Sequence, residues 1–526
     1  MFSRLSGPVL AIALVTLPFT ATAQDQQSVL AAWSQILGEV DVTKAGQITP
    51  PSLQMRWVLD GGGDCGAFSV SDAAPGQGGS VIDLDAQDNQ WADQPFDKVT
   101  CFFDIPESWT EAYLIQNGAM AVLTSQISYS DASGDPKDWT WQDGPSDGAE
   151  IIVKGPAWIG SRDTLNLLSI GDTGCRGVPA AASSRQQQNC DNTAGRGDWP
   201  LQLLSEAAAS EPADLVIHVG DYRYYYEDVI TQDSWDLWQK DFFPAAQPLM
   251  LAAPWVFVRG NHEGCPGADL PFGLGYFQFF GTTAAGADCS ALTDAGASYM
   301  LPWFFDIGSG TDAHRFVVLD VSSWSYQTGA DVPELTKDFE TAMQMTADGP
   351  DSVWWTYHTP GVQLIYYSSD EHTGEPGVTE ALLKATGDGT LLEDRFCGHD
   401  GTHACKPSQF LMGHQHLYQN VTFPEPGETW TFPRQMIVGH GGTKVDTADP
   451  APSGDTCHYS HFPIGSNGGD VTGYANTDET HGLVYWTRDP GAQAGWTGEQ
   501  IFAPDPGNLV PIAVDDAGQA PACFLD

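Results

Sequence analysis

The chain has 526 residues, of which 41% are hydrophobic and 11% aromatic, and its formal net charge is −47. This composition is ample for one large domain and a smaller one, and it excludes disorder as the main state of the chain. The excess of negative charge repels nucleic acids and anionic membranes, so neither is expected as a partner.

The first residues have the layout of a secretory signal. Residues 1–25 combine Arg4, an apolar stretch over 8–19 and the small residues Ala21-Thr22-Ala23. We expect cleavage after Ala23 and a secreted or periplasmic protein. No later segment is long and apolar enough to predict a membrane span.

Ten cysteines, mostly in near-neighbour pairs, favour disulfides over thiolate metal sites in an exported chain. The sequence does not fix their connectivity. Local pairing is the simplest expectation, and it joins Cys65 to Cys101, Cys175 to Cys190, Cys265 to Cys289, Cys397 to Cys405 and Cys457 to Cys523.

Residues 24–160 are rich in Gly, Asp, Ser and Pro, and they contain short alternating runs at Gln54–Leu59, Val99–Ile105 and Met120–Ser128. These runs predict strands without long helices. We interpret the region as an all-β accessory domain, with its boundary near residues 155–162. The catalytic domain is then expected over 161–526, including C-terminal strands.

Beyond this boundary, apolar runs alternate with helical patterns, of which Trp199–Ala209 and Pro333–Ala347 are the clearer. This alternation predicts an α/β domain, in which ligands gather at the carboxyl ends of strands. The seven predicted strands are Leu165–Ile170, Leu215–Val219, Trp255–Val258, Phe316–Leu319, Val353–Tyr357, Phe410–Met412 and Met436–Val438.

Five of these strands lead directly into a motif with metal-binding side chains. The motifs are Gly171-Asp172-Thr173-Gly174, Gly220-Asp221-Tyr222-Arg223-Tyr224, Gly260-Asn261-His262-Glu263, His358, and Gly413-His414-Gln415-His416. Together they supply carboxylate, phenol, amide and imidazole groups for two metal ions side by side. The pattern predicts a metallohydrolase.

The order of these motifs resembles that of the purple acid phosphatases within the calcineurin-like metallophosphoesterases, over roughly residues 161–445. The resemblance implies a β-sandwich core flanked by helices. It also implies two ligand groups that share Asp221. One comprises Asp172, Asp221, Tyr224 and His416, and the other comprises Asp221, Asn261, His358 and His414.

The first group has three anionic oxygens and suits Fe(III), whereas the second is richer in imidazole and suits Zn(II), Mn(II) or Fe(II). Many relatives carry a metal-binding His two residues after the first Asp, where this chain has Gly174. Tyr224 would replace it. The alternative is that Tyr224 only packs among neighbouring tyrosines.

The resemblance assigns His262 to protonation of the leaving alkoxide or to holding the phosphate; the alternative is a histidine that orients its neighbours. Glu263 is expected to orient His262 rather than to bind metal. Relatives usually place a substrate-binding His about nine residues after His358, where this chain has Tyr366 and Tyr367. His372 could fill that role, or be a plain loop histidine.

Further polar residues accompany the motifs. His440 follows another strand and is expected near the centre without binding metal directly, whereas His218 reads as a hydrogen-bonded core residue. Arg223 and Arg259 flank the ligands and could contact phosphate, although pairing with the abundant acidic residues is at least as reasonable.

The resemblance thus predicts an exported binuclear enzyme that cleaves phosphate monoesters by attack of metal-bound hydroxide. A phosphodiesterase or nucleotidase with the same centre is the alternative enzyme. A noncatalytic secreted binding protein on this scaffold is the alternative of another class.

Overall fold

The computed structural model describes part of the chain. The described residues are 27–47, 51–85, 90, 96–129, 140–160, 165–176, 188, 190, 199–210, 213–224, 233–264, 273–281, 300–322, 332–361, 365–367, 370–372, 376–386, 396–397, 405–422, 432–445, 457–462, 471–478, 481–488, 496–502 and 510–513. The expected signal peptide lies outside them. Within them, no helix is both long enough and apolar enough to cross a bilayer.

The strands of the N-terminal region are β1 Val29–Leu37, β2 Ser52–Asp60, β3 Phe68–Ser71, β4 Val81–Asp83, β5 Lys98–Ile105, β6 Glu111–Gln116, β7 Ala119–Met120, β8 Gln126–Tyr129, β9 Thr140–Asp143 and β10 Ile152–Lys154. Those that follow are β11 Leu165–Ile170, β12 Leu215–His218, β13 Trp255–Phe257, β14 Trp303–Ile307, β15 His314–Val318, β16 Ser352–Thr356, β17 Ile365–Tyr367, β18 Asp370–His372, β19 Gln409–Met412, β20 Tyr418–Thr422, β21 Arg434–Val438, β22 Cys457–Phe462, β23 Val471–Asp478, β24 Gly482–Arg488, β25 Trp496–Phe502 and β26 Val510–Ala513.

The helices of the described residues are α1 Pro156–Gly160, α2 Leu201–Ser210, α3 Trp235–Asp241, α4 Phe243–Ala252, α5 Gly273–Phe279, α6 Val332–Ala347 and α7 Pro376–Ala385. Short 3-10 turns occur at Val42–Lys44, Cys65–Ala67 and Gly310–Asp312. The seven strands and two helices predicted beyond residue 160 are confirmed, with ends that differ by at most two residues.

Two large mixed sheets form the body of the molecule. The first has the order β26-β25-β24-β11-β12-β13-β1-β2-β5, and the second has the order β14-β15-β16-β19-β21-β20-β23-β22. The rings of Trp354 on β16 and Trp486 on β24 lie 5.2 Å apart and join the inner faces of the two sheets. Helices α2 to α5 pack with the first sheet, and α6 and α7 with the outer face of the second.

Both sheets contain a parallel segment, β11-β12-β13 in the first and β15-β16-β19-β21 in the second. Strands β12 and β13 are buried at every residue, as expected for parallel strands covered on both faces. The carboxyl ends of neighbouring parallel strands therefore meet at one edge of each sheet. This α/β sandwich confirms the predicted fold class.

The N-terminal region is rich in strands, as predicted, and three of them extend the first sheet. Strand β1 pairs in parallel with β13 through Gln35 and Trp255, and β2 and β5 follow it. One hydrophobic core runs from β1 to β24 across the proposed boundary near residue 160. The division into domains at that boundary stays a prediction.

Strand β2 was expected to alternate between buried and exposed residues, but it is buried from Leu53 to Leu59. The reason is that both faces are covered. On one face, Trp57 packs against Phe68 of the small sheet β10-β6-β3-β4. On the other face, Arg56 donates a hydrogen bond to the carbonyl oxygen of Phe279, the last residue of α5. The sequence gives no sign that both faces of β2 are buried, because an Arg within a strand normally indicates a face exposed to solvent.

Three of the five expected disulfides are confirmed: Cys65 to Cys101, Cys175 to Cys190 and Cys397 to Cys405. The remaining two expected pairs include cysteines outside the described residues. The pairing of near neighbours therefore describes these bonds correctly.

Replacement of Arg56 tests how firmly the N-terminal strands are joined to the rest of the chain. Its guanidinium donates to the carbonyl oxygens of Phe279 at 2.6 Å and Gly281 at 2.7 Å. We expect Arg56→Ala to lower the free energy of unfolding by about 2–4 kcal/mol, because two buried carbonyls lose a charged donor. Urea denaturation measures this change. Arg488→Ala, which removes a half-buried Arg with a bond to the carbonyl of Asp312, is the control, and equal losses in both variants would contradict the expectation.

Candidate metal centre

The five motifs meet where the parallel strands of the two facing sheets end. Asp172 follows β11, Asp221 follows β12, and Asn261 follows β13 in the first sheet. His358 follows β16 and His414 follows β19 in the second sheet. The fold therefore brings side chains that are as many as 244 residues apart in the sequence to one place, as the sequence analysis expects.

Three of these residues have an unusual backbone. Asp172, Asp221 and His414 adopt positive φ angles of 52°, 58° and 74°. This left-handed conformation is uncommon for residues other than glycine and is concentrated at functional sites. Hydrogen bonds between the loops hold it, since Asp172 N donates to Gly220 O at 2.9 Å and His414 N donates to Asp172 Oδ2 at 3.0 Å.

The first group of candidate ligands surrounds the hydroxyl of Tyr224. Its oxygen lies 2.8 Å from Asp172 Oδ1, 2.7 Å from Asp221 Oδ2 and 3.0 Å from His416 Nε2. Burial, together with the two carboxylates, raises the pKa of Tyr224 well above its ordinary value. The phenol thus points into the centre instead of only packing among the neighbouring tyrosines.

The second group surrounds the side-chain oxygen of Asn261. This oxygen lies 2.9 Å from His358 Nε2 and 2.8 Å from His414 Nδ1. His358 Nδ1 lies 2.8 Å from the carbonyl oxygen of Val219, which fixes the proton on Nδ1 and leaves Nε2 to face the centre. His358 Nε2 is also 3.1 Å from Asp221 Oδ2.

The spacing of these donors fits metal ions. A cation with ligand bonds of about 2.0–2.2 Å places neighbouring ligands about 3 Å apart. The contacts of Tyr224 Oη and Asn261 Oδ1 with their neighbours fall at this separation, whereas His416 Nε2 lies 3.7 Å from Asp172 Oδ1. Ligand atoms of Asp221, His358 and His414 all lie within 4.8 Å of one another. Carboxylate, phenol, amide and imidazole donors are also a combination that transition-metal ions favour.

Gly174 explains why a tyrosine can reach the first group. A Cβ atom at this position would lie 2.7 Å from Tyr222 O and 2.8 Å from Tyr224 N. The loop after β11 is therefore pressed against the loop after β12, with no room for a histidine side chain in this arrangement. Asp241 at the end of α3 holds the two loops together, because its carboxylate accepts from the backbone N–H groups of Cys175 and Tyr224.

Glu263 connects the loops that follow β12 and β13. Its carboxylate accepts hydrogen bonds from the backbone N–H groups of Gly260 at 3.0 Å, Asp221 at 3.2 Å and Tyr222 at 3.0 Å. The residue thus orients the backbone beside Asp221 and Asn261. An orienting role was predicted for Glu263, although with His262 as the residue that it orients.

His262 lies at the edge of both groups. Its ring is 4.0 Å from that of Tyr224, and its Nε2 is 3.8 Å from Asp221 Oδ2. Burial lowers the pKa of His262 to about 3, although the Asp221 carboxylate acts in the opposite direction. Its position beside the shared carboxylate suits contact with a substrate or its leaving group.

The two arginines that flank the motifs are buried in ion pairs. Arg223 pairs with Asp233, and Arg259 binds Asp320 through two hydrogen bonds of 2.7 and 2.9 Å. Both arginine side chains have no exposed surface. This geometry favours the structural alternative over contact with phosphate.

Three further histidines were singled out in the sequence, namely His440, His218 and His372. His440 is buried, and its loop supports Asp172 through a bond from Thr443 N to Asp172 O at 2.9 Å. His218 is hydrogen-bonded in the core, with Nε2 2.8 Å from Thr173 Oγ1. His372 lies in the hairpin β17-β18 opposite Ile365, but its side chain is outside the described residues, and its substrate role stays a prediction.

Sequence reasoning missed Arg176 and Asp241. The guanidinium carbon of Arg176 lies 5.1 Å from the centre of the Tyr224 ring. Its place two residues beyond the first motif is the only signal, and a weak one. Asp241 lies in an ordinary helical sequence at the end of α3. Nothing in the sequence therefore connects it with the loops after β11 and β12 that it joins.

Gly174→Ala tests the close packing of the two loops. We expect a loss of about 1–3 kcal/mol in the free energy of unfolding, because the added methyl group collides with backbone atoms. The variant should also bind less metal per chain, since Tyr224 is displaced. Gly160→Ala is the control, because a Cβ there meets no atom within 4 Å. Equal stability and metal content in the two variants would contradict the packing argument.

Residues 165–418 match the family model of the calcineurin-like phosphoesterases, whereas no curated protein matches the chain. The fold is similar to a purple acid phosphatase from yellow lupin (Lupinus luteus) seeds, with 14% identity, a TM-score of 0.45 and coverage of 93% of this chain and 74% of that one.

It is also similar to PhoD, with 10% identity, a TM-score of 0.41 and coverage of 92% of this chain and 88% of that one. A third similar structure is GAP50, the anchor in the inner membrane complex of Plasmodium, with 11% identity, a TM-score of 0.32 and coverage of 67% of this chain and 89% of that one. The assignment rests on the family model together with the converging motifs. Residues 165–418 form a calcineurin-like phosphoesterase domain, the domain of a metal-dependent phosphoric ester hydrolase.

Proposed function

We propose that the centre holds two metal ions bridged by Asp221 and that the enzyme hydrolyses phosphate monoesters. The observation that carries this proposal is the position of Asp221 Oδ2. It lies 2.7 Å from Tyr224 Oη in one group and 3.1 Å from His358 Nε2 in the other. One carboxylate oxygen thus belongs to both sets of donors, as a bridging ligand requires.

The two groups contain different kinds of ligand atoms, so we expect them to bind different metal ions. Asp172 and Asp221 offer two anionic oxygens beside His416, and Tyr224 offers a third once a bound metal ion displaces its phenolic proton; this set suits Fe(III). Asn261, His358 and His414 add a neutral oxygen and two imidazoles to Asp221, a set that suits Zn(II), Mn(II) or Fe(II).

When bound, a pair of such ions activates water and neutralises charge on the phosphoryl group. The protein's own residues fix the geometry of this reaction. The backbone bonds of Asp172, Asp221 and His414 hold the ligands before substrate arrives, which reduces rearrangement during the reaction. His262, beside Asp221, is placed to hold the phosphate. It can also donate a proton to the leaving oxygen once the charge of the bound phosphate raises its pKa from about 3.

The proposed site of action is outside the cytoplasm, in the medium or the periplasm. Two features support it. One is the signal-like layout of residues 1–23, and the other is the set of three disulfide bonds among the described residues, since disulfides persist in oxidising compartments.

Replacement of Asp221 tests the shared carboxylate. We expect Asp221→Asn to lose both metals and nearly all hydrolysis of p-nitrophenyl phosphate, because one side chain serves two coordination shells. Metal analysis and a phosphatase assay measure the two effects. Asp214→Asn is the matched control, since Asp214 is buried at the other end of β12, where it accepts from Asn166 N at 2.8 Å.

Retention of one full equivalent of metal in Asp221→Asn would contradict the bridging role. Turnover of bis-p-nitrophenyl phosphate by the wild-type enzyme, without turnover of the monoester, would reject the monoester assignment in favour of a phosphodiesterase. Absence of hydrolysis of either ester by the metal-loaded protein would favour a noncatalytic binding protein.

A second substitution separates catalysis from metal binding. We expect His262→Ala to keep its metals and to hydrolyse p-nitrophenyl phosphate about 10²–10⁴-fold more slowly, the usual contribution of a general acid. His314→Ala controls for the loss of a buried imidazole, because His314 starts β15 at the far end of the second sheet. Loss of metal from His262→Ala would instead make this residue structural.

A further inference from the structure

Arg176 lies beside the proposed centre on a loop with several restraints. Its half-buried side chain places the guanidinium carbon 5.1 Å from the centre of the Tyr224 ring. The same ring is 4.0 Å from that of His262. The guanidinium and the proposed acid therefore occupy one neighbourhood.

The backbone of Arg176 is held on both sides. Gln188 exchanges two hydrogen bonds with it, since Arg176 N donates to Gln188 Oε1 and Gln188 N donates to Arg176 O, both at 2.9 Å. The disulfide between Cys175 and Cys190 closes the same loop, and Cys175 N donates to Asp241. The charge of Arg176 is thus fixed near Tyr224 instead of being carried on a free loop.

Positive charge from the protein at this place would add to that of the proposed metal ions. The chain has a net charge of −47, and the centre itself contains two buried carboxylates, Asp172 and Asp221. Among the described residues near Tyr224, Arg176 supplies a half-buried cation with a planar fork that matches phosphate oxygens.

We propose that Arg176 binds a nonbridging oxygen of the substrate phosphoryl group and favours phosphate monoesters over diesters. A monoester near neutral pH carries close to two negative charges, whereas a diester carries one. A fixed cation therefore stabilises the bound monoester more. This inference rests on the proposed function, since it takes a phosphate ester as the substrate.

Arg176→Gln tests the role with two readouts. In the metal-loaded protein we expect the dissociation constant of inorganic phosphate, measured by calorimetry, to rise roughly 10- to 100-fold, as for the loss of a charged hydrogen bond. The value of kcat/KM should fall by a similar factor for p-nitrophenyl phosphate and by less for bis-p-nitrophenyl phosphate. Arg176→Lys should recover part of both losses, because it keeps the charge.

Arg488→Gln is the matched control, because it removes one charge from another half-buried arginine. Phosphate affinity of Arg176→Gln equal to that of wild type or of the control would overturn the inference, as would a loss of metal that accounts for the effect. If the wild-type protein hydrolyses neither ester, the proposed function fails, but a loss of phosphate affinity confined to Arg176→Gln would still support the phosphate contact.

Discussion

The centre depends on the close approach of two buried carboxylates, Asp172 and Asp221, around the hydroxyl of one tyrosine. Like charges brought together away from water repel each other, so positive charge must be close by. Metal ions provide it in our proposal, and the imidazoles and Asn261 complete their surroundings. The loops bring Tyr224 to the place where both carboxylates meet. Gly174 allows the two loops to pack closely, and Asp241 accepts a hydrogen bond from Tyr224 N.

The two sheets make the approach of the loops possible. Parallel strands end together at the edge of each sheet, and the facing arrangement sets Asp172, Asp221 and Asn261 opposite His358 and His414. Positive φ angles at three of these residues are unfavourable locally. Bonds between neighbouring loops offset this, including those that Glu263 accepts from the backbone at Gly260 and Asp221.

Much of this arrangement could be predicted because it is local in the sequence. An apolar run such as Leu165–Ile170 predicts its own strand, and the motif that follows predicts a ligand at its carboxyl end. Contacts between distant segments give no such signal. The sequence does not reveal that β1 lies beside β13, that both faces of β2 are covered, or that Asp241 joins two loops. Arg176 was missed for the same reason, since its proposed role is inferred from its proximity to Tyr224.

The central claim is that one carboxylate oxygen of Asp221 binds two metal ions. A crystal structure of the metal-loaded protein with anomalous scattering, collected at the iron edge and at the edge of the second metal, tests it most directly. The account predicts two peaks about 3.5–4 Å apart on either side of Asp221, with the iron beside Tyr224. A single peak, or two peaks that do not share Asp221, would contradict it.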